Sequence, residues 1–255
     1  MSLARNEMKL SQKLFVNIGD IKKNVDFGVP QSKKELEEMY RFRYDNYARK
    51  NYLLLDKFTE TKDFDEYDKA HKCDYFVATN SSKIVGNVRV VRDDILPTEK
   101  FFEFEEPEVI RSIPRFERAE LSRLIITPYD KSYYLPRNLM LLLFIRNLVM
   151  YAQENGIKGG YSFIKEKLKQ KLLRLGVPIH LIKDYELVYP KDGLMYPYFY
   201  DKDDPVVPMV FIVDEIAEYV DKTIHNSWMF DIIDKNTFVL KDNLYNNFLK
   251  KIGAI

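Results

Sequence analysis

Residues 117–127 read ERAELSRLIIT. The run ends in apolar and β-branched residues and stops at Pro128, which makes it a strand in expectation, although Glu120 and Arg123 place charges inside it. Just downstream, residues 136–154 read PRNLMLLLFIRNLVMYAQE and are apolar on nearly every side. Pro136 suits a first helical position and Asn155-Gly156 a C-terminal stop, so this segment is expected as a helix buried against a sheet.

Working outward, residues 74–79 (DYFVAT) and 84–92 (IVGNVRVVR) form a hairpin pattern around the turn residues Asn80-Ser81-Ser82. Residues 32–51 read as a helix. Ser32 with Glu35 is a capping-box signal, and Leu36, Met39, Tyr40, Tyr44 and Tyr47 recur at helical steps. Residues 52–72 are polar, acidic and aromatic without a period and are expected as an ordered surface loop. Residues 101–114 are acidic and broken by prolines.

Beyond the long helix come a short strand at 159–164, a helix at 164–175 ended by Gly176, and strands near 179–189 and 206–213. Residues 214–255 are expected to be helical, with Ile216, Val220, Ile224 and Trp228 on one stripe. The order is helix, hairpin, strand, helix, strand, helix, strand, strand. It predicts an α/β (α+β) architecture around one central sheet. The expected organisation is a domain over 1–213 with 214–255 as a helical extension packed on it.

The totals exclude several classes. At 46% hydrophobic and 14% aromatic, 255 residues suffice for a sizeable core. A net charge of +1 offers no field for nucleic acid. The single cysteine, Cys73, cannot form an intrachain disulfide, fits a reducing compartment and reads as a small, partly buried residue. The opening stretch, MSLARNEMKLSQKLF, lacks the apolar run of a signal peptide, and the longest apolar run, 139–145, is too short to span a bilayer. A cytoplasmic protein that does not span the membrane is the expectation. There is no Gly-x-Gly-x-x-Gly after a strand, no P-loop, no His-Glu-x-x-His, no Cys-x-x-Cys and no Gly-x-Ser-x-Gly, and the three histidines lie far apart.

The informative residues are charges in expensive places. Arg43 lies among Tyr40, Tyr44 and Tyr47. Asp65 and Asp68 are three apart in the acidic loop. Arg89 sits inside a strand, and Glu120 and Arg123 flank Leu121-Ser122. Such charges must pair or meet water. Both signs are present, so one shared network is expected, as a substrate site or as an ion network pinning the first helix to the sheet.

In order and spacing these residues resemble the acyl-homoserine-lactone (autoinducer) synthases and their relatives, the N-acyl amino acid synthases. Arg43 and Tyr47 match an Arg followed four residues later by an aromatic. Asp65 and Asp68 match Asp-x-x-Asp, Gly86 and Arg89 match Gly-x-x-Arg, and Glu120, Ser122 and Arg123 match Glu-x-Ser-Arg. The resemblance covers residues 40–125. Two features depart from autoinducer synthases: Tyr52 or Leu53 stands where they carry a tryptophan, and residues 214–255 extend beyond their usual length. Both favour the N-acyl amino acid synthase side, or a related bacterial acyltransferase.

The resemblance implies a GNAT-like acyltransferase fold with a mostly antiparallel sheet whose middle strands splay to admit a pantetheine arm. It implies an acyl carrier protein, or acyl-CoA, as donor of an acyl-phosphopantetheine thioester, a small amine or amino acid as acceptor, and no metal. Glu120 and Ser122 are then the catalytic candidates, Glu120 as acceptor of the amine proton. Backbone N–H groups near Leu124 and Ile126 would stabilise the oxyanion. Arg43, Arg89 or Arg123 would hold a substrate carboxylate, with Asp65 and Asp68 orienting them or binding the ammonium. Lys131 and Arg137 would hold the carrier's phosphate where the long helix begins. The helix over 139–150, with Phe101 and Phe102, would line the acyl channel. Two alternatives stay open: a lactone-forming synthase using S-adenosylmethionine, and a module that binds acyl ligand or carrier without turnover. Residues 214–255 are open between a channel cover, a homodimer interface and an extension of the core.

Overall fold

The computed structural model describes residues 12–18, 21–80, 83–127, 137–225, 230–234 and 236–241. Strands β1 (Gln12–Ile18) and β2 (Ile21–Gly28) precede the first helix, α1 (Lys33–Ala48). Ser32 caps α1 in the expected way: its hydroxyl accepts from the Glu35 amide at 3.2 Å while the Glu35 carboxylate takes the Ser32 amide at 3.1 Å. The acidic loop carries a turn of 3₁₀ helix (Leu55–Lys57) and a short helix α2 (Glu66–Lys69) capped by Asp65.

The hairpin strands β3 (Cys73–Asn80) and β4 (Lys83–Val91) follow. Next come α3 (Pro97–Phe101), β5 (Phe102–Phe104), α4 (Glu108–Arg111) and β6 (Arg118–Ile126). Helix α5 (Arg137–Glu154) ends where Gly156 takes φ +69°, the left-handed turn glycine favours. The chain continues through β7 (Gly159–Lys165), α6 (Glu166–Arg174), β8 (His180–Leu181), β9 (Tyr185–Leu187), α7 (Tyr196–Phe199), β10 (Val206–Ile212) and α8 (Val213–Val220). The described part closes with a π turn (Asp221–His225), β11 (Phe230–Asp234) and β12 (Thr237–Leu240).

Among the described residues ten strands make one mixed sheet, in the order β11-β12-β1-β2-β3-β4-β6-β7-β10-β8. Its neighbours are antiparallel except β1–β12 and β6–β7. The parallel β6–β7 pair needs a crossover, and α5 supplies it. Helices α5, α6 and α8 pack on one face, where Leu143, Phe144 and Ile216 join the main core. Helix α1, the acidic loop, α3, α4 and α7 cover the other face through smaller clusters around Phe163 and Tyr161. Among the described residues no helix is long and apolar enough to cross a membrane.

The expected fold class is the observed one, with three differences. Residues 214–255 are not helical throughout: α8 ends at Val220 and two strands follow. Ile216, Val220 and Ile224 are buried on one stripe as expected, whereas Trp228 lies outside the described residues. Strands β1 and β2, which local pattern did not announce, extend the sheet, and β12 pairs with β1 across the whole chain. The segment near 179–189 splits, with β8 joining the main sheet and β9 pairing with β5. Cys73 is buried, and burial pushes its thiol up to about 12, which leaves it in the inert thiol form.

Candidate active site

Strands β6 and β7 pair only at their beginnings, through Arg118–Gly159, Ala119–Gly160 and Glu120–Tyr161. Gly160 permits the close approach: a Cβ there would lie 1.7 Å from the Ala119 carbonyl oxygen. The Ser162 hydroxyl then donates to the Leu121 carbonyl at 2.7 Å, and beyond it the two strands part. A bulge in β6 accompanies the parting. Asn87 pairs with Ile125 and Arg89 with Ser122, so Arg123 and Leu124 together oppose Val88 alone. Arg123 holds φ +56°, a strained value for a residue with a side chain. The bulge puts two consecutive side chains, Ser122 and Arg123, on the α1 face of the sheet, while Leu124 returns to the α5 face.

The parted strands open into a cleft of about 750 Å³. Its inner wall is apolar, with Leu141, Phe144, Ile145 and Leu148 of α5, Leu172 of α6 and Ile216 of α8. Its other end is polar and aromatic, with Tyr47, Tyr52, Ser122, Arg123, Lys165 and Tyr198. Thr127 donates its amide to Val85 of β4, so strand alternation turns the amides of Ile126 and Leu124 away from β4, toward the gap.

Behind the polar end lies an ion network. Arg43 donates from Nε to Asp63 at 2.8 Å and from Nη2 to Asp68 at 2.9 Å. Arg89 donates from Nη1 to Asp65 at 2.8 Å and Asp68 at 3.0 Å, and from Nε to the Ser122 hydroxyl at 3.0 Å. Arg123 reaches Asp63 at 2.7 Å and Asp65 at 3.1 Å. Three guanidiniums thus meet three carboxylates. Burial opposes ionisation of the aspartates, but the arginines outweigh it: Arg123 and Arg43 hold Asp63 below the usual carboxylate range, and Arg43 and Arg89 hold Asp68 well below it. Arg43 and Arg89 are almost fully buried, so the network is charge-matched as well as hydrogen-bonded.

The structure therefore gathers Arg43, Asp65, Asp68, Arg89, Ser122 and Arg123, as expected. Ser122 and Arg123 line the cleft together with Leu124 and Ile126, while the other four stand behind them. Glu120 differs from expectation in its placement. It is fully buried, is not part of the cleft wall, and its Oε2 accepts from the Thr98 amide at 2.6 Å. Burial raises its carboxyl to about 8, so at neutral pH it largely keeps its proton. Phe101 and Phe102 do not line the cleft either; they pack with Phe163 and Phe199 in the second core cluster. Lys131 lies outside the described residues, as does the side chain of Arg137.

Sequence reasoning passed over Asp63, Lys165 and Tyr198, and gave Tyr52 no role in the site. Asp63 had a signal: three buried arginines call for a third acid beside Asp65 and Asp68. Tyr52, which shares with Leu53 the place where the resembling synthases carry tryptophan, lines the cleft. Lys165 and Tyr198 had no local signal.

No curated protein matches the chain. Residues 38–157 match the family described as N-acyl amino acid synthase FeeM. Among solved structures, the AHL synthase LasI shares 18% identity over 74% of this chain and 89% of its own, with a TM-score of 0.52. The CoA-dependent acyl-homoserine lactone synthase MesI shares 19% over 80% of this chain and 92% of its own, with a TM-score of 0.51. A third, BjaI, also titled a CoA-dependent acyl-homoserine lactone synthase and bound to MTA, shares 12% over 84% and 92%, with a TM-score of 0.52. At such identities the likeness is one of fold. The matched segment contains most of α1, the whole ion network and the parting strand β6, so over residues 38–157 the chain is similar to the N-acyl amino acid synthases, a family of acyltransferases.

Proposed function

We propose that this protein moves a fatty acyl group from a phosphopantetheine thioester to the amine of an amino acid or a similar small molecule. The observation that carries this reading is the parting of β6 from β7 over a cleft with one apolar wall and one polar end. A thioester arm fits between parted strands, its acyl chain against α5 and its carbonyl beside the amides of Leu124 and Ile126, which strand alternation turns toward the gap. The match of residues 38–157 to an acyltransferase family supports the same chemistry.

The neutral amine attacks the thioester carbon. A C–N bond forms, the C–S bond breaks, the electron pair leaves on sulfur, and the thiolate takes up a proton while the amine gives one up. The Leu124 and Ile126 amides would stabilise the oxyanion. Ser122 and Arg123 would hold the acceptor, with Arg123 kept in place by Asp63 and Asp65. Glu120 lies off the cleft and is largely protonated at neutral pH. We therefore assign it to bracing α3 against β6 through Thr98 rather than to taking the amine proton. An acyl carrier protein is the donor we favour over free CoA, on the resemblance of the charged motifs.

The test is incubation with acyl carrier protein or CoA loaded with several chain lengths, together with pooled amino acids, read by mass spectrometry and thiol release. A linear N-acyl amino acid with stoichiometric thiol is expected. A lactone with methylthioadenosine, formed only when S-adenosylmethionine is supplied, would move the protein to the lactone-forming synthases. Tight retention of acyl donor with no thiol release would make it a binding module.

A further inference from the structure

The ion network leaves a question of charge. Arg43, Arg89 and Arg123 are matched one for one by Asp63, Asp65 and Asp68, so the network has no positive charge to spare for an anionic substrate. A cation with a donor to spare stands elsewhere in the same cleft. Lys165 and Lys167 line its polar end beside Asp201, Asp203 and Asp204.

Lys165 is the buried one of the two lysines. Its side chain is 9% exposed, against 76% for Lys167. Its ammonium lies 4.5 Å from the centre of the Tyr198 ring and 4.8 Å from that of Tyr52, and both rings attract a cation. Two of its three N–H groups are used, on the Tyr198 carbonyl at 2.6 Å and on Asp201 at 3.2 Å. An ammonium has three donors, so among the described residues one remains without a protein hydrogen-bond partner, on a residue of the cleft wall.

Its position separates acceptor from donor. Arg123 stacks over Tyr47 at 5.7 Å, the Tyr47 ring lies 6.3 Å from that of Tyr198, and Tyr198 carries Lys165. Lys165 therefore belongs to the α1 face with Arg123, across the sheet from α5 and the apolar wall.

Resting on the acyl-transfer reading above, we infer that Lys165 is the anchor for the carboxylate of the acceptor. The carboxylate takes the third N–H of Lys165 in a charge-assisted bond, and the α-amine is thereby held toward the gap and the thioester.

The experiment compares Lys165→Met and Lys165→Arg with wild type at saturating acyl donor. Leucine and phenylalanine are the acceptors, beside their decarboxylated counterparts 3-methylbutylamine and 2-phenylethylamine. Lys165→Met is expected to raise KM for the amino acids at least tenfold while leaving KM for the amines and for the acyl donor unchanged, with partial recovery in Lys165→Arg. Equal effects on amino acids and amines, or no effect, would overturn the assignment. A raised KM for the acyl donor would do so too, by giving the lysine to the donor's phosphate. Calorimetric titration of wild type and Lys165→Met with the two amino acids reads the anchor without turnover. Binding lost in the variant supports it even if no transfer occurs; binding equal in both, or absent from wild type, overturns it. Acyl transfer absent from wild type for every acceptor defeats the acyl-transfer reading alone.

Discussion

Arg123 Nε lies 2.7 Å from Asp63 Oδ2, a contact that joins the bulge of β6 to the acidic loop sixty positions earlier. The same oxygen accepts from Arg43 of α1 at 2.8 Å, so one carboxylate ties helix, loop and strand together. Replacing it leaves two buried guanidiniums short of a partner. Asp63→Asn is expected to cost about 3–5 kcal/mol of stability, measured by urea unfolding. A cost below about 1 kcal/mol would mean that the network is not what holds the loop to the sheet.

Glu120 gives stability a definite pH slope. Its carboxyl is raised to about 8 from an ordinary 4.5. Between those values the folded chain keeps a proton that the unfolded chain has lost, so stability falls as pH rises, by up to about 1.4 kcal/mol per pH unit. The network aspartates, held below their ordinary value, add no slope in this window; their contribution is lost only in acid, below about pH 4. Glu120→Gln should match wild type near pH 5 and exceed it by about 3 kcal/mol near pH 8. Parallel stability curves for the two proteins would show that Glu120 ionises normally in the fold.

Gly86 sets the shape of the apolar wall. A Cβ there would come within 2.7 Å of the Phe144 ring edge, and Phe144 lines the cleft. A ring can swing where backbone cannot. Gly86→Ala is expected to cost about 1–3 kcal/mol and to shift the preferred acyl donor to shorter chains, read by mass spectrometry of the products. An unchanged chain-length profile would place the acyl group elsewhere.

Gly160 is stricter. The methyl of Gly160→Ala would collide with the Ala119 backbone at 1.7 Å, in the paired part of β6–β7. The strands would have to separate before the natural gap begins. The variant is expected to lose more than about 4 kcal/mol, or not to fold. Near-normal thermal stability by circular dichroism would contradict the close approach of these strands.

Sequence alone determined what local physics can encode. The Ser32–Glu35 capping box, the strand over Arg118–Ile126, the buried helix Arg137–Glu154 with its glycine stop, and the set of charges too costly to leave unpaired were all legible, because each depends on neighbours a few residues away. Tertiary structure decided the rest. The β1–β12 pairing joins the two ends of the described chain, and no local pattern specifies such a partner. A left-handed arginine at position 123 turns Ser122 and Arg123 onto one face, whereas simple alternation would have put them on opposite faces. Burial, which only packing sets, raised Glu120 and removed it from the cleft, and the fold of two distant segments brought Lys165 between Tyr52 and Tyr198. Residue types and their order are written in the chain; which face a side chain meets, and what charge it keeps there, depend on packing.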